Sequence, residues 1–207
     1  MPDFAFDGSR RHHLRALLCM SLAMTSPTLW AQAAGASIGG VSFGGCLDVG
    51  GQALRLNGVG LRASSTIKGF AAGLYLAHTG NSTEQLLGTP GPKRLRMRMM
   101  LDVPIVVFTH ALRKGIRRNV PEPQQAVLSE RLGRFDGVLQ AIGKVFDGDV
   151  IDLDYLPESG LVILINGKPR GAPIPGEDLY AALLLVFIGE RPVDAKMKAG
   201  LLGQRNA

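Results

Sequence analysis

The stretch LNGVGLRASSTIKGFAAGLYLA, residues 56–77, decides how the rest of the sequence is interpreted. Its apolar and small residues predict two buried strands, and a single arginine, Arg62, lies close to the middle. A guanidinium keeps its charge when it is buried, so it needs an anionic partner or several acceptors. We therefore expect Arg62 to face an anionic group, and a bound ligand is one candidate source of that group.

The second of these strands, Thr66 to Ala77, alternates between two faces. One face carries larger residues such as Phe70 and Leu74. The other face is mostly small and consists of Ile67, Gly69, Ala71, Gly73, Tyr75 and Ala77. Small side chains allow a close approach, which either a helix or a ligand could use, and general packing favours the helix.

Further strands extend from this stretch in both directions. Leu47 to Val49 and Ala53 to Leu56 flank Gly50-Gly51, which is a hairpin signal. In Lys93 to Val103, apolar residues alternate with Arg94, Arg96 and Arg98. Such an arginine ladder either binds anions or forms the solvated outer face of an antiparallel sheet, and the second is the commoner case.

The remaining segments alternate between helices and hairpins. Amphipathic or apolar periodicity predicts helices in Pro104 to Val120, Gln124 to Ile142 and Leu179 to Ile188, and Asp194 is the predicted cap of a short last helix. Asp149 to Tyr155 and Leu161 to Asn166 form a predicted hairpin. Strands, helices, strands and helices in this order, with hairpins instead of crossovers, predict an α+β domain whose antiparallel sheet carries helices on one face.

The N-terminal residues predict export. Arg10, Arg11 and Arg15 precede the apolar run Ala16 to Met24, and Ala31-Gln32-Ala33 has the small-x-small pattern that signal peptidase cuts. We therefore predict a signal peptide at residues 1–33, a flexible tether at 34–45, one domain at 46–207, and a periplasmic location. Sec is the default route, although the paired arginines also resemble a twin-arginine signal.

Charge and motifs exclude several classes of function. The predicted leader has three basic and two acidic residues, so its removal lowers the net charge from +6 to +5. This moderate positive charge does not require nucleic acid as a partner. The sequence has no G-x-S-x-G elbow, H-E-x-x-H pair, phosphate loop or dinucleotide fingerprint. We expect no cofactor and no metal. Cys46, the one cysteine after the leader, is predicted to be a small buried residue.

The segments LNGVGLR, KGFAAGLYL, GDVIDLDYLPESGLVILINGK and IPGEDLYAALLLVFIGERPVDAKMKAGLLG, in this order, resemble the bacterial chalcone isomerase-like proteins. The resemblance covers most of Val41 to Gly203. It implies an open-faced β-sandwich, in which a layer of helices covers a large antiparallel sheet and a ligand cleft lies between the two layers.

The resemblance also implies roles for individual residues. Arg62 occupies the position of an arginine that steadies a phenolate in plant isomerases and pairs with the carboxylate in fatty-acid-binding relatives. Phe70 and Leu112 stand near positions where the plant enzymes have a threonine and a tyrosine, and Asn119 matches their asparagine. The two lost hydroxyl groups would have polarised the substrate ketone, so the resemblance favours binding over catalysis.

Three functions follow as hypotheses. The first is a non-catalytic binder of a fatty acid or similar apolar carboxylate, with Arg62, Phe70, Leu112 and Asn119 at the ligand. The second is an isomerase of the chalcone isomerase type that uses Arg62, Asn119 and Tyr75. The third is a structural partner in a cell-envelope complex. The basic cluster of the first long helix could also contact an anionic membrane surface, and it consists of Arg113, Lys114, Arg117 and Arg118.

Overall fold

The structure is a computed structural model that describes residues 34–64 and 67–204. The predicted signal peptide at residues 1–33 lies outside them. The strands of the described segments are β1 (Ala36–Ile38), β2 (Val41–Phe43), β3 (Cys46–Val49), β4 (Gln52–Ala63), β5 (Lys68–Leu76), β6 (Lys93–Met99), β7 (Val103–Pro104), β8 (Lys144–Val145), β9 (Val150–Leu156), β10 (Gly160–Ile165) and β11 (Lys168–Ile174). The helices are α1 (Thr83–Gly88), α2 (Ile105–Asn119), α3 (Glu122–Ile142), α4 (Glu177–Ile188) and α5 (Ala195–Leu201).

Seven strands form one antiparallel sheet in the order β11-β10-β9-β6-β5-β4-β3. The predicted Gly50-Gly51 hairpin joins β3 to β4, and both glycines have positive φ, 62° and 80°. The pairs β1-β2 and β7-β8 form separate two-stranded sheets. This arrangement confirms the predicted α+β class with its large antiparallel sheet.

Helices cover one face of this sheet and form the main core. Leu74, Met97 and Leu153 of the sheet belong to the same buried cluster as Phe135 and Phe187 of the helices. α4 is buried nearly all round, as its apolar composition predicts. The layer of helices on the sheet confirms the predicted open-faced sandwich.

A second, smaller core lies on the opposite face of the sheet. It contains Phe43, Val49, Leu54, Ala71 and Tyr75, so it includes the small-residue face of β5. A Cβ placed on Gly73 would lie 2.7 Å from Cδ1 of Phe43. The element that approaches this face is therefore the β1-β2 hairpin, and the prediction of a helix or a ligand there is wrong.

The same hairpin occupies the segment predicted to be a flexible tether, residues 34–45. β1 pairs with β2 across Gly39-Gly40, whose φ values are 63° and 93°. The glycines that suggested a tether supply a tight turn instead, and Phe43 anchors the hairpin because only 4% of it is exposed. The folded region thus begins before residue 46.

The two edge strands differ from the strands between them. β3 has only four residues, and its Cys46 is exposed, contrary to the predicted burial. β11 exposes every residue before Ile174 and contains Pro169 and Pro173, which have no backbone N–H to donate. Within the described segments, no helix is both long and apolar enough to cross a membrane.

Candidate functional site

The N-G-x-G-x-R motif at residues 57–62 lies along helix α5. At one end, the side-chain amide of Asn57 donates to the carbonyl oxygen of Leu201 over 2.8 Å. At the other end, Nη1 of Arg62 donates to Oδ2 of Asp194 over 3.2 Å. β4 and α5 therefore run antiparallel, with Asn57 at the end of the helix and Arg62 at its start.

Two glycines of the motif allow this contact. A Cβ on Gly58 would overlap the carbonyl oxygen of Gly200, and a Cβ on Gly60 would lie 2.6 Å from Cγ of Met197. The backbone of β4 therefore touches α5 directly, without intervening side chains. This close approach places the first turn of α5 beside Arg62.

Arg62 pairs with the residue that caps α5. Oδ1 of Asp194 accepts a hydrogen bond from the backbone N–H of Met197 over 2.9 Å, while Oδ2 accepts from Arg62. The side chain of Arg62 is 41% exposed and that of Asp194 is 17% exposed. The expectation of an anionic partner is met by the protein itself, although the Arg62 side chain is less buried than its place in two buried strands suggests. Sequence reasoning identified Asp194 only as a helix cap.

A cleft of about 630 Å³ adjoins the Arg62–Asp194 pair. It lies between β1, the end of β4 and the start of α5, and its lining residues are Ile38, Leu61, Ala63, Ser64, Asp194, Ala195 and Lys196. Four of these seven side chains are apolar, and Lys196 supplies a cation. Arg62 does not line the cleft itself and adjoins it through Asp194. A cavity of this size and character suits a small amphipathic molecule.

Phe70 and Leu112 fill the space between sheet and helices. Phe70 lies opposite Arg62 across the β4-β5 pair, and its ring meets that of Phe187 edge-on, with the ring centroids 6.4 Å apart. Leu112 of α2 is only 3% exposed in the main core. Neither residue lines the cleft of about 630 Å³. Their assignment to a ligand site remains a prediction.

Asn119 holds the connection between α4 and α5. Its amide donates to the carbonyl oxygen of Arg191 over 2.9 Å, and its Oδ1 accepts from the backbone N–H of Arg191 over 2.8 Å. It also lines a separate pocket of about 500 Å³ that includes Arg118 and Lys198. Arg62 and Asn119 therefore fasten the two ends of one short segment, 191–194, and do not meet in one cavity.

On the face of the sheet opposite to the helices, aspartates neutralise two of the three ladder arginines, Arg94 and Arg96. Arg94 makes two hydrogen bonds to Asp154, of 2.6 and 2.5 Å, and Arg96 makes two to Asp152, of 2.7 and 2.8 Å. Asp152 and Asp154 are both buried. Burial raises the pKa of Asp154, and Arg94 opposes that shift. The predicted solvated face is thus half-buried around Arg94 and Arg96, whose charges are paired, whereas Arg98 is exposed as predicted.

Tyr75 lies beside this ladder and away from Arg62. It is 1% exposed in the smaller core, on the face of β5 opposite to Phe70. Burial raises the pKa of the Tyr75 phenol, while the charge of Arg96 lowers it. The fold therefore does not bring Tyr75 together with Arg62 and Asn119 in one site.

The part of the chain that the structure describes holds no group of three or more His, Cys, Asp or Glu residues arranged for a metal ion. The two aspartates of β9, Asp152 and Asp154, form ion pairs with the ladder arginines Arg96 and Arg94.

Comparison with known proteins assigns the class. A family model described as chalcone isomerase-like matches residues 35–203. The chain belongs to the chalcone isomerase-like family. Its fold is similar to that in the crystal structure of the Arabidopsis thaliana fatty-acid binding protein AtFAP1, with a TM-score of 0.61 and 19% identity, over 82% of this chain and 96% of the other. No curated protein matches the sequence.

Proposed function

We propose that this protein binds a fatty acid or a similar apolar carboxylate and performs no chemistry on it. The observation that carries the proposal is the Arg62 guanidinium, whose side chain is 41% exposed and whose partner, Asp194, lines the cleft of about 630 Å³. Membership of the chalcone isomerase-like family and the fold shared with a fatty-acid binding protein support it.

Arg62 keeps donors for a ligand because its ion pair is a weak one. Its contact with Asp194 is a single 3.2 Å hydrogen bond, whereas Arg94 and Arg96 each make two of 2.5–2.8 Å. A guanidinium has five N–H donors in a planar fork that matches a carboxylate. The ligand carboxylate would therefore bind the unused edge of the fork, with its apolar chain against Ile38 and Leu61.

The negative charge of Asp194 opposes such a ligand. Asp194→Asn removes this charge and retains a side chain that caps helices equally well. We expect this variant to bind the ligand more tightly than the wild type. A purely structural Arg62–Asp194 pair would leave the affinity unchanged, so the variant separates the two roles.

The direct test is the affinity of the full chain for dodecanoate and hexadecanoate, measured by calorimetry. Arg62→Ala should weaken binding roughly 10- to 150-fold, because a hydrogen bond to a charged group contributes about 1.5–3 kcal/mol. Arg55→Ala is the matched control, since Arg55 is an exposed arginine on the same strand. Equal loss in both variants, or binding that neither changes, contradicts the proposal.

Isomerase activity is the alternative that the same protein sample can test. The apolar Phe70 and Leu112 pack in the core, and Asn119 is already bonded to the backbone of Arg191. We therefore expect chalcone to cyclise at the uncatalysed rate in the presence of the protein. A rate in excess of the uncatalysed control that Arg62→Ala abolishes would replace binding with catalysis.

We also propose that the protein is exported and acts in the periplasm, on the strength of its N-terminal sequence. We expect protein purified from the periplasmic fraction to have the intact mass of the chain without residues 1–33. Recovery of the full-length chain from the cytoplasm alone would contradict export.

A further inference from the structure

Helix α2 presents one face to solvent along its whole length. Its buried residues are Ile105, Phe108, Leu112, Gly115 and Ile116, which face the main core. The opposite side, here called the α2 outer face, carries Val106, Val107, His110, Lys114, Arg117 and Arg118, all exposed.

The charge of the α2 outer face is not balanced by acidic residues of the same helix. α2 contains no aspartate or glutamate. Arg113, at the border of this face, pairs with Asp136 of α3. Among the ion pairs formed within residues 34–64 and 67–204, none includes Lys114, Arg117 or Arg118.

The neighbouring helix shows the contrast. In α3, Arg131 pairs with Asp178 and Arg134 pairs with Glu130. A basic run that only solvates a helix usually has acidic residues interspersed, as α3 does. α2 therefore differs from α3 in that its exposed cations have no acidic residue on the same helix.

The start of the α2 outer face is apolar. Val106 and Val107 are 67% and 56% exposed. Phe146, 53% exposed, follows β8, whose partner β7 leads directly into α2. The ammonium of Lys144 lies 4.9 Å from the centre of the Phe146 ring. Within α2 itself, the helical spacing places Val106 and Val107 on the same exposed side as the three cations.

We propose that the α2 outer face docks on the surface of an anionic lipid bilayer. Lys114, Arg117 and Arg118 contact the headgroup phosphates, and Val106 and Val107 enter the headgroup boundary. Nucleic acid would satisfy the cations but would leave the valines in water. Each lysine or arginine near an anionic bilayer strengthens binding roughly fivefold, so three of them give a reversible, salt-sensitive attachment.

The test is co-sedimentation of the full chain with vesicles of phosphatidylcholine alone or with roughly one third phosphatidylglycerol. Lys114→Glu/Arg117→Glu should weaken binding to the anionic vesicles by roughly 30-fold or more. The matched control is Lys168→Glu/Arg170→Glu on the exposed strand β11, which makes the same change in net charge. The control should bind like the wild type, and both variants carry the same N-terminal segment.

Equal loss in the two charge-reversal variants would assign the binding to net charge and overturn the proposal, as would no binding by the wild type. Val106→Ser/Val107→Ser tests the apolar part, and it should reduce the binding that survives at high salt. Retention on duplex DNA as strong as on vesicles, unchanged by the two serines, would identify a polyanion site and not a bilayer. The affinity for dodecanoate reports separately on the proposed Arg62 site, so failure of one proposal is distinguishable from failure of the other.

Discussion

At the scale of single residues, the arginines of this protein differ in what neutralises them. Arg62 contacts Asp194 through one hydrogen bond, whereas Arg94 and Arg96 each make two hydrogen bonds to an aspartate. The sequence predicts that such arginines need anions, but Asp194 lies 132 residues from Arg62 along the chain. No local pattern encodes a pairing over that separation, so only the fold identifies the partner.

The Arg94–Asp154 pair gives a prediction for stability. Arg94→Met leaves the Asp154 carboxylate, in a residue 4% exposed, without its main partner, and should lower the free energy of unfolding by about 3–5 kcal/mol. Arg94→Met/Asp154→Leu removes both charges and should recover most of that loss. Urea unfolding of both variants measures the two values, and a single variant within about 1 kcal/mol of the wild type would contradict the argument.

The three tyrosines give a prediction for alkaline pH. Burial raises the pKa of Tyr75, Tyr155 and Tyr180 above the usual value of about 10. Because each folded pKa is raised, the associated stability is fully present below about pH 10 and is lost as the pH rises through the folded values. Phenolate absorbance should therefore appear together with the loss of circular dichroism. Phenolate that forms near its usual pKa in a protein still folded would show that these rings are accessible.

At the scale of elements, a β-bulge decides what β4 presents to each side of the sheet. Leu54 and Leu56 belong to the smaller core, and beyond the bulge between Leu56 and Gly58, Val59 and Leu61 do so as well. The bulge therefore turns Gly58, Gly60 and Arg62 toward α5. Hydrophobic alternation predicts the strands and the long helices correctly, because burial on one face fixes that period. It cannot predict a bulge, which breaks the period, and the location of the candidate site depends on this one.

The contact between β4 and α5 can be tested with a methyl group. Gly58→Ala places a Cβ against the carbonyl oxygen of Gly200 and should destabilise the protein by about 1–3 kcal/mol through overpacking. Gly133→Ala is the control, since Gly133 lies in α3 with open space around its Cβ position. That substitution should stabilise the protein by about 0.5–1 kcal/mol through helix propensity. Thermal unfolding that gives both variants the same sign would refute the close contact.

At the scale of the whole molecule, one sheet separates two cores of unequal size. The smaller core includes the β1-β2 hairpin, although its glycine-rich sequence predicts a tether because such segments commonly lack structure. Phe43 gives this segment a buried anchor, and a single aromatic residue among glycines is too weak a sequence signal to predict a hairpin. The two cores share the strands β5 and β9, so they should unfold together.

This coupling is testable at Phe43. Phe43→Ala should lower the free energy of unfolding by about 3–5 kcal/mol and retain a single transition. Circular dichroism reports the sheet and helices, and the fluorescence of the tyrosines reports both cores. Phe146→Ala, at a residue 53% exposed, should change the stability by no more than about 0.5 kcal/mol. Separate transitions by the two probes would show that the hairpin unfolds independently.

The edges of the sheet also determine how the protein behaves at high concentration. An exposed edge strand is a template for strand addition from another molecule, which is a common route to aggregation. β11 blocks this route with Pro169 and Pro173 and with the charges of Lys168 and Arg170, and β3 is only four residues long. Neither edge offers a long row of free donors, so the sheet resists growth by edge-to-edge stacking.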